Sequence, residues 1–62
     1  MKKYKLLNPL ILKSGTSDYL LLPGDEIWAE LRGTSYYVYS PKTRRKLGYS
    51  ARDTFITNVQ ES

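Results

Sequence analysis

Within the pentapeptide Lys42-Thr43-Arg44-Arg45-Lys46, four of the five side chains are cationic. Tyr36, Tyr37 and Tyr39 precede it and Tyr49 follows it. Cations beside aromatic rings are the chemistry that holds phosphate and stacks a base. Arg52, just beyond Tyr49, adds one more positive charge. The candidate nucleic-acid-binding residues are therefore Tyr37, Tyr39, Lys42, Arg44, Arg45, Lys46 and Arg52. The pattern points to a non-catalytic binding module. The plainer alternative is that a charged turn keeps a small β-domain soluble.

A second set of residues suits a protein partner. Trp28 lies between Glu26 and Glu30 on one side of an alternating segment, where its acidic neighbours disfavour nucleic acid. Trp, Tyr and Arg dominate the energetics of protein interfaces, so Trp28, Tyr36 and Tyr49 are the candidates for an adaptor or inhibitor. A strand edge would serve the same role. The basic turn would then dock an acidic protein surface, and a second copy of the chain is a possible partner.

Catalysis has little to work with. The chain has no His for proton transfer near neutral pH and no Cys nucleophile. Glu26 and Glu30 share a strand face, but four residues of strand separate them by roughly 13 Å, too far for a paired acid and base on one bond. The four glycines are isolated, so there is no phosphate-cradling loop. A disulfide framework and a Cys/His zinc site are excluded by residue type, and no loop has calcium-ligand spacing. No cofactor or metal is expected.

Sixty-two residues allow one domain, spanning 1–62, with stability of roughly 3–5 kcal/mol from its single core. The net charge of +4 is lopsided. Residues 1–31 carry four Lys and four acids; residues 32–62 carry six Lys or Arg against Asp53 and Glu61. The second half therefore favours an acidic partner. Lys2 and Lys3 before an apolar run mimic a signal peptide, but Asn8-Pro9 interrupts the run and no small-residue cleavage site follows. No membrane span is expected. The reading is a soluble, cytoplasmic protein.

These residues must be positioned by short elements. Turn signals at Asn8-Pro9, Ser14-Gly15, Pro23-Gly24, Arg32-Gly33 and Ser40-Pro41 leave room for strands of about five or six residues and no long helix. Lys3–Leu7 and Leu10–Lys13 read as the first two strands. Asp18–Leu22, apolar on both faces after its first residue, reads as a central strand. Glu26–Leu31 alternates, with Ile27, Ala29 and Leu31 toward the core and Trp28 outward. Thr34–Ser40 leads into a turn at Ser40-Pro41-Lys42-Thr43, and Arg45–Tyr49 returns antiparallel. In one register Tyr36, Val38, Leu47 and Tyr49 face the core and leave Tyr37, Tyr39, Arg44 and Lys46 outward; the opposite register buries Tyr37 and Tyr39. Ser50 and Asp53 approach a capping box, giving one helical turn over Ala51–Thr54. Phe55, Thr57 and Val59 then alternate as a closing strand, with a longer helix to Gln60 as the rival. The fold class is all-β: a small five-stranded barrel or curled antiparallel sheet with that one helical turn.

The segment from Pro23 to Ile56 resembles the small Src-homology-3-like barrels of bacteria and phages. Pro23-Gly24-Asp25-Glu26-Ile27-Trp28 matches a turn into a strand. Gly48-Tyr49-Ser50-Ala51-Arg52-Asp53-Thr54-Phe55 is similar to the closing glycine-aromatic strand, short helical turn and final apolar strand of that family. The aromatic-rich early loop and acidic cluster of its proline-binding members find no fixed counterpart. Tyr36 through Lys46 is also similar to the hairpin of the arm-binding domain of phage-type integrases, in which a three-stranded sheet enters the major groove. Both resemblances imply a phage or mobile-element origin.

Overall fold

Alternation of buried and exposed side chains runs through most of the chain and builds a curled antiparallel sheet. The structure is a computed structural model that describes residues 1–62. Its elements are β1 (Lys2–Leu6), β2 (Leu10–Ser14), β3 (Ser17–Leu21), β4 (Glu26–Arg32), β5 (Ser35–Tyr39), β6 (Lys46–Ala51), α1 (Arg52–Asn58) and β7 (Val59–Glu61). The strand order is β3-β2-β6-β5-β4-β1-β7, with every neighbouring pair antiparallel. The class is all-β, as expected, but the open sheet has seven strands and not five.

One face of the sheet closes on a single core. Tyr4 and Leu6, Leu10 and Leu12, Leu21, Ile27 and Ala29, Val38, Phe55 and Val59 form one buried cluster. Leu21 belongs to one outermost strand and Val59 to the other, so the sheet must curl to bring both into the same cluster. Hydrogen bonds fasten the β4 entry to β1: the Leu6 N–H donates to the Asp25 carbonyl and the Gly24 N–H to the Leu6 carbonyl, both at 2.9 Å. No helix is long and apolar enough to cross a membrane.

The segment expected to be central is an edge. β3 pairs only with β2, and of its apolar residues only Leu21 is buried. Tyr19, Leu20 and Leu22 are exposed. The tight turn after Ser14 hangs β3 on β2, and this short chain has no second layer to cover its outer face. Leu31 also departs from its expected place. Ile27 and Ala29 are buried, but Leu31 lies beyond the end of the core and is 47% exposed.

The expected helical turn runs further than Thr54, to Asn58, and the closing strand begins only at Val59. α1 drops Phe55 between Tyr36, stacked on it at 4.4 Å, and Tyr4, edge-on at 5.1 Å. Burial of that ring outweighs the weak helix propensity of Thr54, Ile56 and Thr57, because tertiary packing supplies most of the stability of a short helix. Thr57 Oγ1 donates back to the Asp53 and Thr54 carbonyls and Asn58 Nδ2 donates to the Thr54 carbonyl. The expected capping box does not form. Ala51 occupies the N-cap, and the buried Ser50 hydroxyl donates to the Ala51 carbonyl.

Candidate nucleic-acid interface

The outer face of β4, β5 and β6 carries the aromatic and cationic residues. Residues paired across strands point to the same side of a sheet. The pairing Lys3–Trp28, Trp28–Tyr39 and Tyr39–Lys46 therefore lays one row across four strands. A second row runs Glu30–Tyr37, Tyr37–Tyr49 and Tyr49–Lys13. Tyr36 and Val38 take the opposite side, toward the core.

β6 does not alternate regularly, and that decides which residues reach this face. Val38 pairs with Gly48 and Tyr39 with Lys46, so Leu47 is an extra residue in the ladder. Such a bulge re-aims the side chains that flank it. Leu47 packs against the core, while Lys46 before it and Tyr49 beyond it lie outside. The expected inward set of Tyr36, Val38, Leu47 and Tyr49 thus loses Tyr49, which is 42% exposed. Gly48 permits the arrangement. A Cβ there would meet the Lys13 carbonyl oxygen at 2.5 Å and the Leu12 Cβ at 2.9 Å, where the backbone of β2 comes close to its sheet neighbour β6.

Tyr37 is the hub of the face. The Lys46 ammonium lies 4.5 Å from its ring centroid and the Arg32 guanidinium carbon 5.6 Å. Tyr49 stacks on it, with centroids 6.0 Å apart and planes inclined at 28°. Arg32 also binds Glu30, with Nε and Nη2 each 3.0 Å from the same carboxylate oxygen.

The charged turn is built by local hydrogen bonds. The Ser40 N–H donates to the Arg45 carbonyl at 2.9 Å and the Arg44 N–H to the Ser40 carbonyl at 2.8 Å. The Thr43 N–H reaches the Ser40 hydroxyl and the Arg45 N–H reaches the Thr43 hydroxyl. Closing this loop places Arg44 at φ 61°, the one non-glycine residue with positive φ. Lys42, Arg44 and Arg45 are exposed. The ion pairs of the molecule are Lys2–Glu61, Arg32–Glu30 and Arg52–Asp53, so Lys42, Arg44, Arg45 and Lys46 all lack a carboxylate partner.

Six of the seven candidate nucleic-acid-binding residues gather here: Tyr37, Tyr39, Lys42, Arg44, Arg45 and Lys46. Arg52 does not. It follows β6 at the end remote from the turn, roughly 20 Å away at strand rise, and pairs with Asp53 at 3.6 Å. The alternative set also separates. Tyr36 is engaged in the core against Phe55 and Tyr4, whereas Tyr49 and Trp28 share the outer face with the tyrosines and cations. Trp28, Tyr39, Ser40, Pro41, Arg44 and Met1 line a surface cleft of about 200 Å³. Sequence reasoning missed Lys3 and Arg32 as parts of this face. Lys3 arrives through the long-range pairing of β1 with β4, for which no local signal exists.

No family model matches the chain, and no curated protein or solved structure matches it either.

Proposed function

We propose that the chain is a nucleic-acid-binding module that grips its ligand with the outer face of β4–β6 and the turn joining β5 to β6. One observation carries the reading. Four cations without carboxylate partners border a sheet face on which Trp28, Tyr37, Tyr39 and Tyr49 lie exposed or half-exposed. Cations left unpaired by the molecule's own acids are free to replace the counterions of phosphates. Kinship with Src-homology-3-like barrels and a mobile-element origin belong to the same proposal and rest on the sequence resemblance of Pro23 to Ile56 alone.

The test is a titration of labelled DNA and RNA at two salt concentrations. If the four turn cations each neutralise one phosphate, log K against log salt falls with a slope of about −3 to −4. Binding that ignores salt, or none at low salt, rejects the proposal.

A second reading rests on β3. This edge strand leaves its outer backbone groups unpaired, and its only charged residue is Asp18. Leu20 is 53% exposed beside its registered partner Ile11 at 59%. Edges without lysine, proline or a bulge template further pairing. The β7 edge, by contrast, is three residues long and bears the Glu61–Lys2 ion pair. The second reading is antiparallel pairing of β3 with β3 of a second copy. Sedimentation over a rising concentration series should show a dimer that Leu20→Lys abolishes; a monomer throughout removes this reading.

A further inference from the structure

We infer that the ligand is a single strand, and that the cleft between Trp28, Tyr39 and Arg44 seats one of its bases; this rests on the nucleic-acid reading above. The cleft measures about 200 Å³. A cavity of about 150 Å³ suffices for a benzene ring, so one planar base fits against the indole.

The rings are not equivalent. Tyr37 is already engaged by Lys46, Arg32 and Tyr49. Trp28 and Tyr39 appear in no such aromatic or cation–ring pairing and both line the cleft. Trp28 is 38% exposed. The open stacking surface is therefore the Trp28–Tyr39 pair, and Tyr37 instead helps to hold Lys46 in place.

The charges around the indole suit a phosphate chain, despite its acidic sequence neighbours. Glu30 is satisfied by Arg32 at 3.0 Å, and Glu26 stands across from Lys5 in the β1–β4 register. Lys3 borders Trp28 on one side, and Lys46 lies beyond Tyr39 on the other. Arg44, which lacks a carboxylate partner, closes the cleft.

A duplex has no use for this arrangement. It presents phosphates and base edges but hides base faces within its stack, whereas an unpaired strand can splay a base onto an aromatic ring. The cations explain attraction to any nucleic acid; the open indole in a base-sized cleft selects the single strand.

Trp28 is the sole tryptophan, so its fluorescence reports directly on the cleft. The experiment titrates the intact protein at low salt with oligothymidine and oligouridine of about a dozen nucleotides, a duplex of the same length, and inorganic polyphosphate. Binding is followed in parallel by anisotropy of end-labelled strands. Saturable quenching of Trp28 is expected with one or both single strands and not with polyphosphate or duplex. Their relative affinities distinguish DNA from RNA. Trp28→Ala should weaken single-strand binding roughly 5- to 150-fold, since a stacked base is worth about 1–3 kcal/mol, and Trp28→Phe should recover part of the loss. Single-strand binding by anisotropy with unchanged Trp28 fluorescence overturns the inference and leaves the nucleic-acid reading intact. Equal affinity for the duplex, or polyphosphate matching the strands in affinity and quenching, overturns it too. No binding of any nucleic acid removes both. The quenching readout belongs to the wild-type protein and survives any folding defect in the variants.

Discussion

Lys46 and Tyr49 stand three residues apart in β6, yet both lie against the ring of Tyr37. In a regular strand, residues three apart point to opposite faces. The extra residue Leu47 removes that conflict by turning inward while its neighbours stay outside. A one-residue bulge thus lets β6 present both Lys46 and Tyr49 to the Tyr37 ring, which Arg32 of β4 also approaches.

The Tyr37 contact orders Lys46 without neutralising it. An exposed cation–ring contact is worth about 0.5–1 kcal/mol, so Lys46→Gln should lower stability by no more than about that amount. It should also make the salt slope of binding shallower by about 0.7–0.9, the share of one phosphate. Urea melts and the two-salt titration check both. An unchanged slope would mean that the Lys46 charge takes no part in binding.

Arg44 allows charge to be separated from shape. A non-glycine residue in the left-handed region costs about 1–2 kcal/mol, and glycine avoids this at an entropic cost of about 0.5–1 kcal/mol. Arg44→Gly should therefore keep stability within about 1 kcal/mol of wild type while weakening nucleic-acid binding. Arg44→Ala removes the charge but retains the backbone strain, so it should bind as weakly and melt earlier. Equal melting of the two variants would refute the strain argument.

Much of this arrangement could be read locally. The alternation of Ile27 and Ala29 with Trp28 set the faces of β4, and the tyrosine run offered only two registers for β5. Ser40-Pro41 marked the turn. The failures lie where distant segments decide. β3 is apolar on both faces, which says that something should cover it but not which neighbours it has. Phe55 and Val59 are four residues apart, a spacing that fits a helical face as well as a strand face. Only the pocket between Tyr4 and Tyr36, from β1 and β5, selects the helix. The bulge at Leu47 stands beside the close approach of β2 at Gly48, and nothing within residues 46–51 announces that approach.

Gly48 is the test of that close approach. Its Cβ position lies 2.5 Å from a backbone oxygen, which cannot swing aside as a side chain can. Overpacking of this kind costs about 1–3 kcal/mol, a large part of the roughly 3–5 kcal/mol available to so small a core. Gly48→Ala should lower the unfolding free energy from urea melts followed by circular dichroism by about 1–3 kcal/mol. Leu47→Ala, which trims a partly buried side chain without touching the β2–β6 approach, should cost less. A Gly48→Ala protein that melts like wild type would show that β2 does not pass this close to β6.

Tyr4 makes the stability pH-dependent at the alkaline end. Burial raises its phenol above the ordinary value of 10.0, with smaller contributions from Tyr36 and the Glu61 carboxylate. The unfolded chain loses this proton near pH 10, while the folded chain holds it to higher pH. The unfolded state therefore binds fewer protons as pH rises through that window, and stability falls there. The contribution is fully present below about pH 10 and disappears as pH climbs through the raised folded value. Tyr4→Phe keeps the ring against Phe55 and removes the ionisable group. Urea midpoints at pH 8 and near pH 11 should fall further for wild type than for Tyr4→Phe. Equal falls would mean that the Tyr4 hydroxyl titrates alike in the folded and unfolded chains.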